Sequence, residues 1–212
     1  INYDLSWYRD QDKQQGGWTL ELIDPNNPCG EQDNWTAAED EKGGTPGKQN
    51  SAYASKPDLT GPHLEKVIVL QPDQLLLTFN EKLEVLASAG SFTITPAVTI
   101  SKAFFTDQTL RTIQINLNAL LQTQKLYAID VDNTRDCSGN PIDAQFRHVT
   151  FALPEAADSL DLLVNEVLFN PKPGGFDFVE VYNTSPKYIN LKNWQFSNIV
   201  DGKIANPKQI SE

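Results

Sequence analysis

The sequence has 212 residues, a formal net charge of −11 and no methionine. This length favours one to two domains with a sizeable core. Acidic residues exceed basic ones by ten to five over 1–57, ten to seven over 58–153 and eight to five over 154–212. Since phosphate-binding surfaces need clustered Lys and Arg, we expect no nucleic-acid partner. Without a methionine, residue 1 is not a translated start, and we expect a piece of a longer protein.

Short runs of alternating apolar and polar residues follow one another along the chain, and such runs predict half-buried strands. In chain order, their apolar members are Trp18, Leu20 and Leu22; Leu75, Leu77 and Phe79; Phe92 and Ile94; Ile113, Ile115 and Leu117; Tyr127, Ile129 and Val131. Clusters such as "DPNNPCGEQDN" and "GGTPGKQNS" separate the runs and are typical of turns. We therefore predict an all-β fold of sandwich type, and no run is long enough to span a membrane.

Two stretches interrupt the strand pattern, "SKPDLTGP" and "LPEAADSLD". They divide the chain into predicted domains of residues 1–57, 58–153 and 154–212. In the middle domain, "DLTGPHLEKV", "LLLTFNEKLE" and "KLYAIDVDNTRDCSGNPI" resemble the entry, an early strand and the tyrosine strand with its turn in bacterial Ig-like domains. That resemblance implies an Ig-like β-sandwich, as found in tandem in cell-surface proteins.

Both ends resemble parts of one further family. At the C-terminus, "LLVNEVLFNPKPGGFDFVEVYNTSPKYINLKNWQFSN" is similar to the opening half of lamin-tail domains in secreted bacterial proteins. At the N-terminus, "GGWTLELIDPNNPCGEQDNW" and "GGTPGKQNS" are similar to the closing half. Sandwich halves leave open strand edges, which recruit other strands. The resemblance therefore implies strand complementation: the two ends dock on each other, or they complete partners in neighbouring chains.

Two cysteines, Cys29 and Cys137, lie in turn-like contexts. A disulfide between them would suit an oxidising compartment and requires Cα atoms within about 7 Å. Two cysteines in loops can equally remain unpaired, and the sequence leaves both states open.

An oxygen-rich turn contains Asp130, Asp132 and Asp136. Carboxylates are the ligands that Ca²⁺ prefers, so these three are candidate metal ligands. The turn lacks the spacing of an EF-hand loop, and Asx residues also stabilise turns without metal.

Aromatic and hydroxyl residues suggest two further contacts. Trp7, Tyr8 and Trp35 lie near predicted loops and are candidates for stacking on a glycan, whereas Trp18 and Trp194 alternate with polar residues as core side chains do. Asp158-Ser159-Leu160 resembles the O-glycosylation pattern of secreted Bacteroidetes proteins, which makes Ser159 a candidate modification site.

The catalytic patterns are weak. "GGTPGKQNS" has the wrong spacing for a phosphate loop, and His63 and His148 belong to no recognisable catalytic motif. Glu166, Asp177 and Glu180 fall on two adjacent predicted strands, where carboxylates can form an acid/base pair, but the lamin-tail resemblance assigns Glu166 and Glu180 to strand signatures. We therefore expect a non-catalytic extracellular structural or adhesive module without a cofactor. An accessory region of a secreted nuclease or phosphatase and a glycan-binding module are the alternatives.

Overall fold

The computed structural model describes residues 3–27, 29–84 and 89–210. These residues form strands, joined by loops and by short 3-10 turns at Leu5–Tyr8, Lys13–Gln15, Glu31–Asn34 and Ala89–Ser91. The strands are β1 (Leu20–Leu22), β2 (Trp35–Ala37), β3 (Leu64–Gln71), β4 (Gln74–Phe79), β5 (Phe92–Thr95), β6 (Ile100–Phe105), β7 (Thr112–Leu117), β8 (Leu126–Val131), β9 (His148–Ala152), β10 (Leu162–Leu168), β11 (Phe178–Asn183), β12 (Gln195–Val200) and β13 (Lys203–Gln209). The predicted all-β fold is confirmed. No helix in the described ranges has the length and apolar character needed to cross a membrane.

Strands β3 to β9 form two antiparallel sheets in the middle of the chain. One sheet has the order β3-β4-β7-β6 and the other the order β5-β8-β9. If these seven strands are lettered A to G, the orders are ABED and CFG, which is the topology of a constant-type immunoglobulin sandwich. We call residues 58–153 the central sandwich.

The core of the central sandwich follows from the alternation in the sequence. In β4, β7 and β8 every second side chain points inward and is buried, and these are Leu75, Leu77, Phe79, Ile113, Ile115, Leu117, Tyr127, Ile129 and Val131. They join side chains from both sheets in one apolar cluster. Burying one such side chain stabilises the fold by roughly 1.5–3 kcal/mol, so this cluster is the main source of stability.

Tyr127 ties the loop before β8 to the core. Its ring is 2% exposed and stacks on Phe151 of β9 at a centroid distance of 5.7 Å. Its hydroxyl accepts a hydrogen bond from the backbone N–H of Gln122 at 3.0 Å. A tyrosine near the start of the sixth strand that bonds upstream backbone is the tyrosine corner of immunoglobulin-type sandwiches.

Residues 3–57, called the N-terminal segment, contain one small sheet. Strands β1 and β2 pair antiparallel, with Leu22 opposite Trp35. Loops extend this pairing, because Thr19 N–H donates to the Gly43 carbonyl at 2.7 Å and Ala54 N–H donates to the Ile23 carbonyl at 3.1 Å. The segment is therefore built mainly from loops fastened around a short hairpin.

Residues 154–210, called the C-terminal segment, form two hairpins, β10–β11 and β12–β13. Glu155 connects them to the central sandwich, because its carboxylate accepts from the Gln124 N–H at 3.2 Å and its own N–H donates to the Tyr188 carbonyl at 2.8 Å. Among the described residues, no backbone hydrogen bond joins the C-terminal segment to the N-terminal segment. Strand pairing between the two ends is therefore absent from the described residues, and docking of their sheets on each other remains a prediction.

Candidate functional site

A disulfide joins the N-terminal segment to the central sandwich. Cys29 lies in the loop after β1, and Cys137 lies in the turn between β8 and β9; their Cα atoms are 5.8 Å apart. The bond closes a loop with a sequence separation of 108. The structure thus pairs the two cysteines whose state the sequence left open. The contact region around this disulfide is therefore the candidate site.

Polar contacts surround this disulfide. Ser138 Oγ donates to the Asp58 carboxylate at 3.2 Å, and Asn140 Nδ2 donates to the Asp58 carbonyl at 3.2 Å. Arg111, which immediately precedes β7, forms an ion pair with Glu31 of the N-terminal segment. We call this contact region, formed by the disulfide and these bonds, the junction.

The chain entering the central sandwich passes very close to the β8–β9 loop. A Cβ atom added to Gly61 would lie 1.7 Å from the Pro141 carbonyl oxygen, so only glycine fits there. The next residue, Pro62, accepts a hydrogen bond through its carbonyl from the Asp143 N–H at 3.2 Å. The linker is therefore fixed against the same loop that carries Cys137.

Buried polar side chains hold the N-terminal segment together beside the junction. Asn34 is 1% exposed; its Nδ2 donates to the carbonyls of Asp24 and Asn27, both at 2.6 Å, and its Oδ1 accepts from the Asp24 N–H at 2.8 Å. The buried Asp24 carboxylate accepts from the Lys56 N–H at 2.7 Å. Asn34 thus shapes the loop that presents Cys29, and Asp24 ties that loop to the linker.

Glu21 is the second buried polar anchor of this segment. It lies in β1 and is 4% exposed. Its carboxylate accepts from Thr45 Oγ1 at 2.5 Å, Ser51 Oγ at 2.8 Å and the Ala52 N–H at 3.0 Å. Burial opposes ionisation of Glu21, but these hydrogen bonds outweigh it and lower its pKa. The residues in the "GGTPGKQNS" turn therefore serve as structural partners of a buried carboxylate.

Three carboxylates meet at the junction. Atoms of Asp58, Glu81 and Asp136 lie within 4.8 Å of one another, and Asp136 is fully buried. Asn140 satisfies both oxygens of Asp136, through its N–H at 2.7 Å and its Nδ2 at 2.8 Å. Burial, followed by the nearby charges of Asp58 and Asp136, raises the pKa of Glu81 to about 7. Their oxygens could hold a cation of the Ca²⁺ type.

The predicted metal ligands separate in the structure. Asp136 belongs to the group just described, but Asp130 contacts His148 Nδ1 at 3.1 Å and Asp132 forms an ion pair with Arg147. Both partners lie in or beside β9, so strand pairing turns these two aspartates toward side chains of the neighbouring strand. Sequence reasoning missed Asp58 and Glu81 because they come from other loops, far from Asp136 in sequence.

The candidate glycan-stacking residues are all half-buried in the N-terminal segment. The rings of Trp7 and Trp35 lie 6.3 Å apart with an interplanar angle of 36°. The Tyr8 hydroxyl donates to the Trp18 carbonyl at 3.4 Å. Two of the three therefore pack on each other, and glycan contact remains a prediction for their exposed edges.

Ser159 is exposed at a tight turn between the central sandwich and β10. Lys187 organises this turn, because its Nζ lies 2.8 Å from the Asp161 carboxylate and also contacts Asp158. These contacts, with the hydrogen bond from Lys187 first, lower the pKa of Asp161. The turn presents the Ser159 hydroxyl to solvent, and its glycosylation remains a prediction.

The C-terminal segment exposes an unusually large amount of apolar surface for a folded chain. Phe176 is 86% exposed, and Ile199 and Ile204, which face each other across β12 and β13, are each 77% exposed. On β10–β11, Glu166 lies opposite Glu180, whose carboxylate accepts from the Asn165 side chain. Isolated two-stranded hairpins are marginally stable in water, and contiguous exposed apolar surface marks an interaction site.

Solved structures of the bacterial surface-layer protein SbsC are similar to part of this chain. The N-terminal part of SbsC aligns over 70% of this chain with 18% identity and a TM-score of 0.40, and the match covers 38% of that structure. The S-layer protein rSbsC(31-844) aligns over 70% with 19% identity and a TM-score of 0.40, and the match covers 22% of it. This chain thus spans well under half of either structure, and a likeness at this level carries no functional conclusion.

No family model matches this sequence, and no curated protein matches it. Functional inference therefore depends on the junction, the C-terminal hairpins and the resemblances in the sequence.

Proposed function

We propose that this chain is a non-catalytic structural module of an extracellular or cell-surface protein, in which linked β-sandwiches hold other parts of the protein at a fixed separation. The junction is the observation that carries this proposal. A covalent bond, an ion pair between Arg111 and Glu31 and the contacts of Asp58 fasten two units of the chain to each other. Such fastening gives a spacer a defined geometry.

The disulfide also supports an extracellular location. Disulfides form and persist in oxidising compartments and are rare in the reducing cytosol. Cys29 and Cys137 form the only disulfide among the described residues. A net charge of −11 fits a chain that stays soluble at a surface without recruiting nucleic acid.

The exposed surface and the sequence of the C-terminal segment indicate the kind of partner that would bind to it. Its hairpins have exposed apolar faces, and its sequence resembles the opening half of a lamin-tail sandwich, whereas the N-terminal segment resembles the closing half. The partner we propose is therefore the N-terminal segment of a second copy of this chain or of a neighbouring module. An adhesive role would follow if a surface protein of another kind completed the same face.

Thiol trapping on intact cells tests this function. Protein would be alkylated before lysis, and the redox state of Cys29 and Cys137 would be read by mass spectrometry, together with antibody labelling of non-permeabilised cells. We expect a disulfide in the surface-labelled protein. Two alkylated cysteines, in a protein that the antibody cannot reach, would refute the extracellular assignment.

The alternative functions predict different results. A metal-ligand set or catalytic triad encoded elsewhere in the same gene would favour an accessory region of a secreted nuclease or phosphatase. Binding on a glycan array that disappears with Trp35→Ala, while hydrogen exchange at the junction is unchanged, would favour a glycan-binding module.

A further inference from the structure

We propose that the Cys29–Cys137 disulfide is a mechanical bypass that carries tension between the two ends of the chain around the core of the central sandwich. The inference rests on the proposed function only in requiring that the chain be held at both ends. It concerns a different property, namely the path that force takes through the molecule.

The path follows from chain topology. Cys29 precedes β2, and Cys137 follows β8, so the covalently closed loop contains β2 to β8. Six of the seven strands of the central sandwich, β3 to β8, lie inside it. Only β1 lies before the loop, and only β9 and the two C-terminal hairpins lie after it. Tension applied at both ends passes from Cys29 directly to Cys137 and does not enter the loop.

Without the disulfide, the same tension would enter the sandwich at β3 and leave it at β9. These strands are edges of the two sheets, and a backbone bond from Leu64 N–H to the Phe146 carbonyl at 2.9 Å joins the start of β3 to the chain entering β9. Pulling would therefore load an edge held by individual hydrogen bonds. With the disulfide, β3 is relieved, and β9 is the only sandwich strand in the tension path.

Noncovalent contacts provide a second attachment to the loop that carries Cys137. Asp58 is held by Ser138 and Asn140, immediately after Cys137, and Pro62 is held by the Asp143 N–H. These bonds attach the linker to the same loop that receives the force from Cys29. The contact between the linker and the β8–β9 loop would otherwise open first under tension. It is thus reinforced by the disulfide, which joins the same loop to Cys29.

Single-molecule pulling on the full chain, with handles at the two termini, tests the bypass. The oxidised chain should release less length than the reduced chain by about 350–390 Å, because 108 residue steps stay closed and each spans at most about 3.3–3.6 Å. When a water-soluble phosphine is added at a constant force that has already extended both flanking segments, the sandwich should unfold and release this length. The Cys29→Ser/Cys137→Ser variant should match the reduced chain.

Two results would overturn the bypass. One is an oxidised chain that releases the full length, since force would then enter the loop. The other is a reduced chain whose sandwich stays folded at forces that extend both flanks, because the core would then need no protection. If the double variant does not fold, in situ reduction of the folded wild-type chain still decides the question. If the protein is disulfide-bonded and lies at the cell surface but fails this pulling test, the proposed function stands and only the bypass is refuted.

Discussion

The N-terminal and C-terminal segments are similar in length, and the strands of each pair antiparallel. They are nevertheless stabilised in opposite ways. The N-terminal segment buries Glu21, Asp24 and Asn34 with hydrogen-bonding partners and is covalently fastened through Cys29. The C-terminal segment has no disulfide in its described residues, and it exposes Phe176 and Ile199. The N-terminal segment is fastened to the central sandwich within the chain, whereas the C-terminal segment leaves large apolar side chains exposed.

The difference shows how a segment of about 55 residues can be held without a large apolar core. So small a unit buries little surface by itself. In the N-terminal segment, polar side chains replace the missing core by fixing loops to the β1–β2 hairpin, and the central sandwich supplies the rest of the support.

Of the changes that test the difference between the two segments, breaking the disulfide should have the largest effect on the free energy of unfolding. We expect Cys29→Ser to lower the free energy of unfolding by about 2–5 kcal/mol, because the unfolded chain is no longer closed into a long loop. Chemical unfolding followed by circular dichroism measures the change. Reduced wild-type protein is the matched control and should show the same loss; equal stability of oxidised and reduced protein would contradict the prediction.

Removing a buried polar anchor should have the next largest effect. Asn34→Ala leaves the buried Asp24 N–H without a partner and removes the amide donor from the Asp24 and Asn27 carbonyls, which keep the Asn27 N–H at 3.2 Å and the Gly30 N–H at 3.5 Å. We therefore expect a loss of about 1–3 kcal/mol. The loss should appear as faster hydrogen exchange in β1 and β2. Asn26→Ala is the control, because the Asn26 side chain is exposed and its N–H bond to Asp24 survives. Equal effects of the two substitutions would argue against the polar network.

The sequence predicted the central sandwich better than the junction. The alternation of Leu75, Leu77 and Phe79 determines which face of β4 is buried, and this is a local pattern that can be read without the fold. The meeting of Asp58, Glu81 and Asp136 has no such pattern, since it depends on three loops that only the sheet topology brings together. The calcium hypothesis grouped Asp130 with Asp136 because they are close in sequence, whereas pairing with β9 directs Asp130 to His148.

A smaller effect should distinguish the junction from the C-terminal turn by pH. Glu81 has a pKa of about 7 in the folded protein against an ordinary value of 4.5, so the folded state retains its proton longer. Its contribution is fully present below pH 4.5 and is lost as pH rises to about 7, by about 1 kcal/mol after allowance for its partial exposure. Thermal unfolding at pH 5 and pH 8 should show this loss, and Glu81→Gln should remove it.

At the C-terminal turn the sign is reversed. Lys187 lowers the pKa of Asp161 below its ordinary value of 3.8, so stability is present above that pH and is lost as pH falls further. The protection of residues 156–162 against hydrogen exchange, corrected for the intrinsic pH dependence of amide exchange, should therefore fall in acid, while protection at the junction should not. The same pH response at the junction and at the C-terminal turn would contradict the assignment of Glu81 and Asp161.

The smallest change in stability should come from the exposed apolar pair of the C-terminal segment. Replacing Ile199 and Ile204 with threonine keeps a β-branched residue in each strand and alters side chains that are already 77% exposed, so unfolding should shift by no more than about 0.5 kcal/mol. Association should respond instead: sedimentation at increasing concentration should show weaker assembly than in wild type. Leu59→Thr, at a 79% exposed linker residue, is the control and should leave assembly intact. If the paired change unfolds the segment and leaves assembly unaffected, its apolar face supports the chain's own fold and is no docking surface.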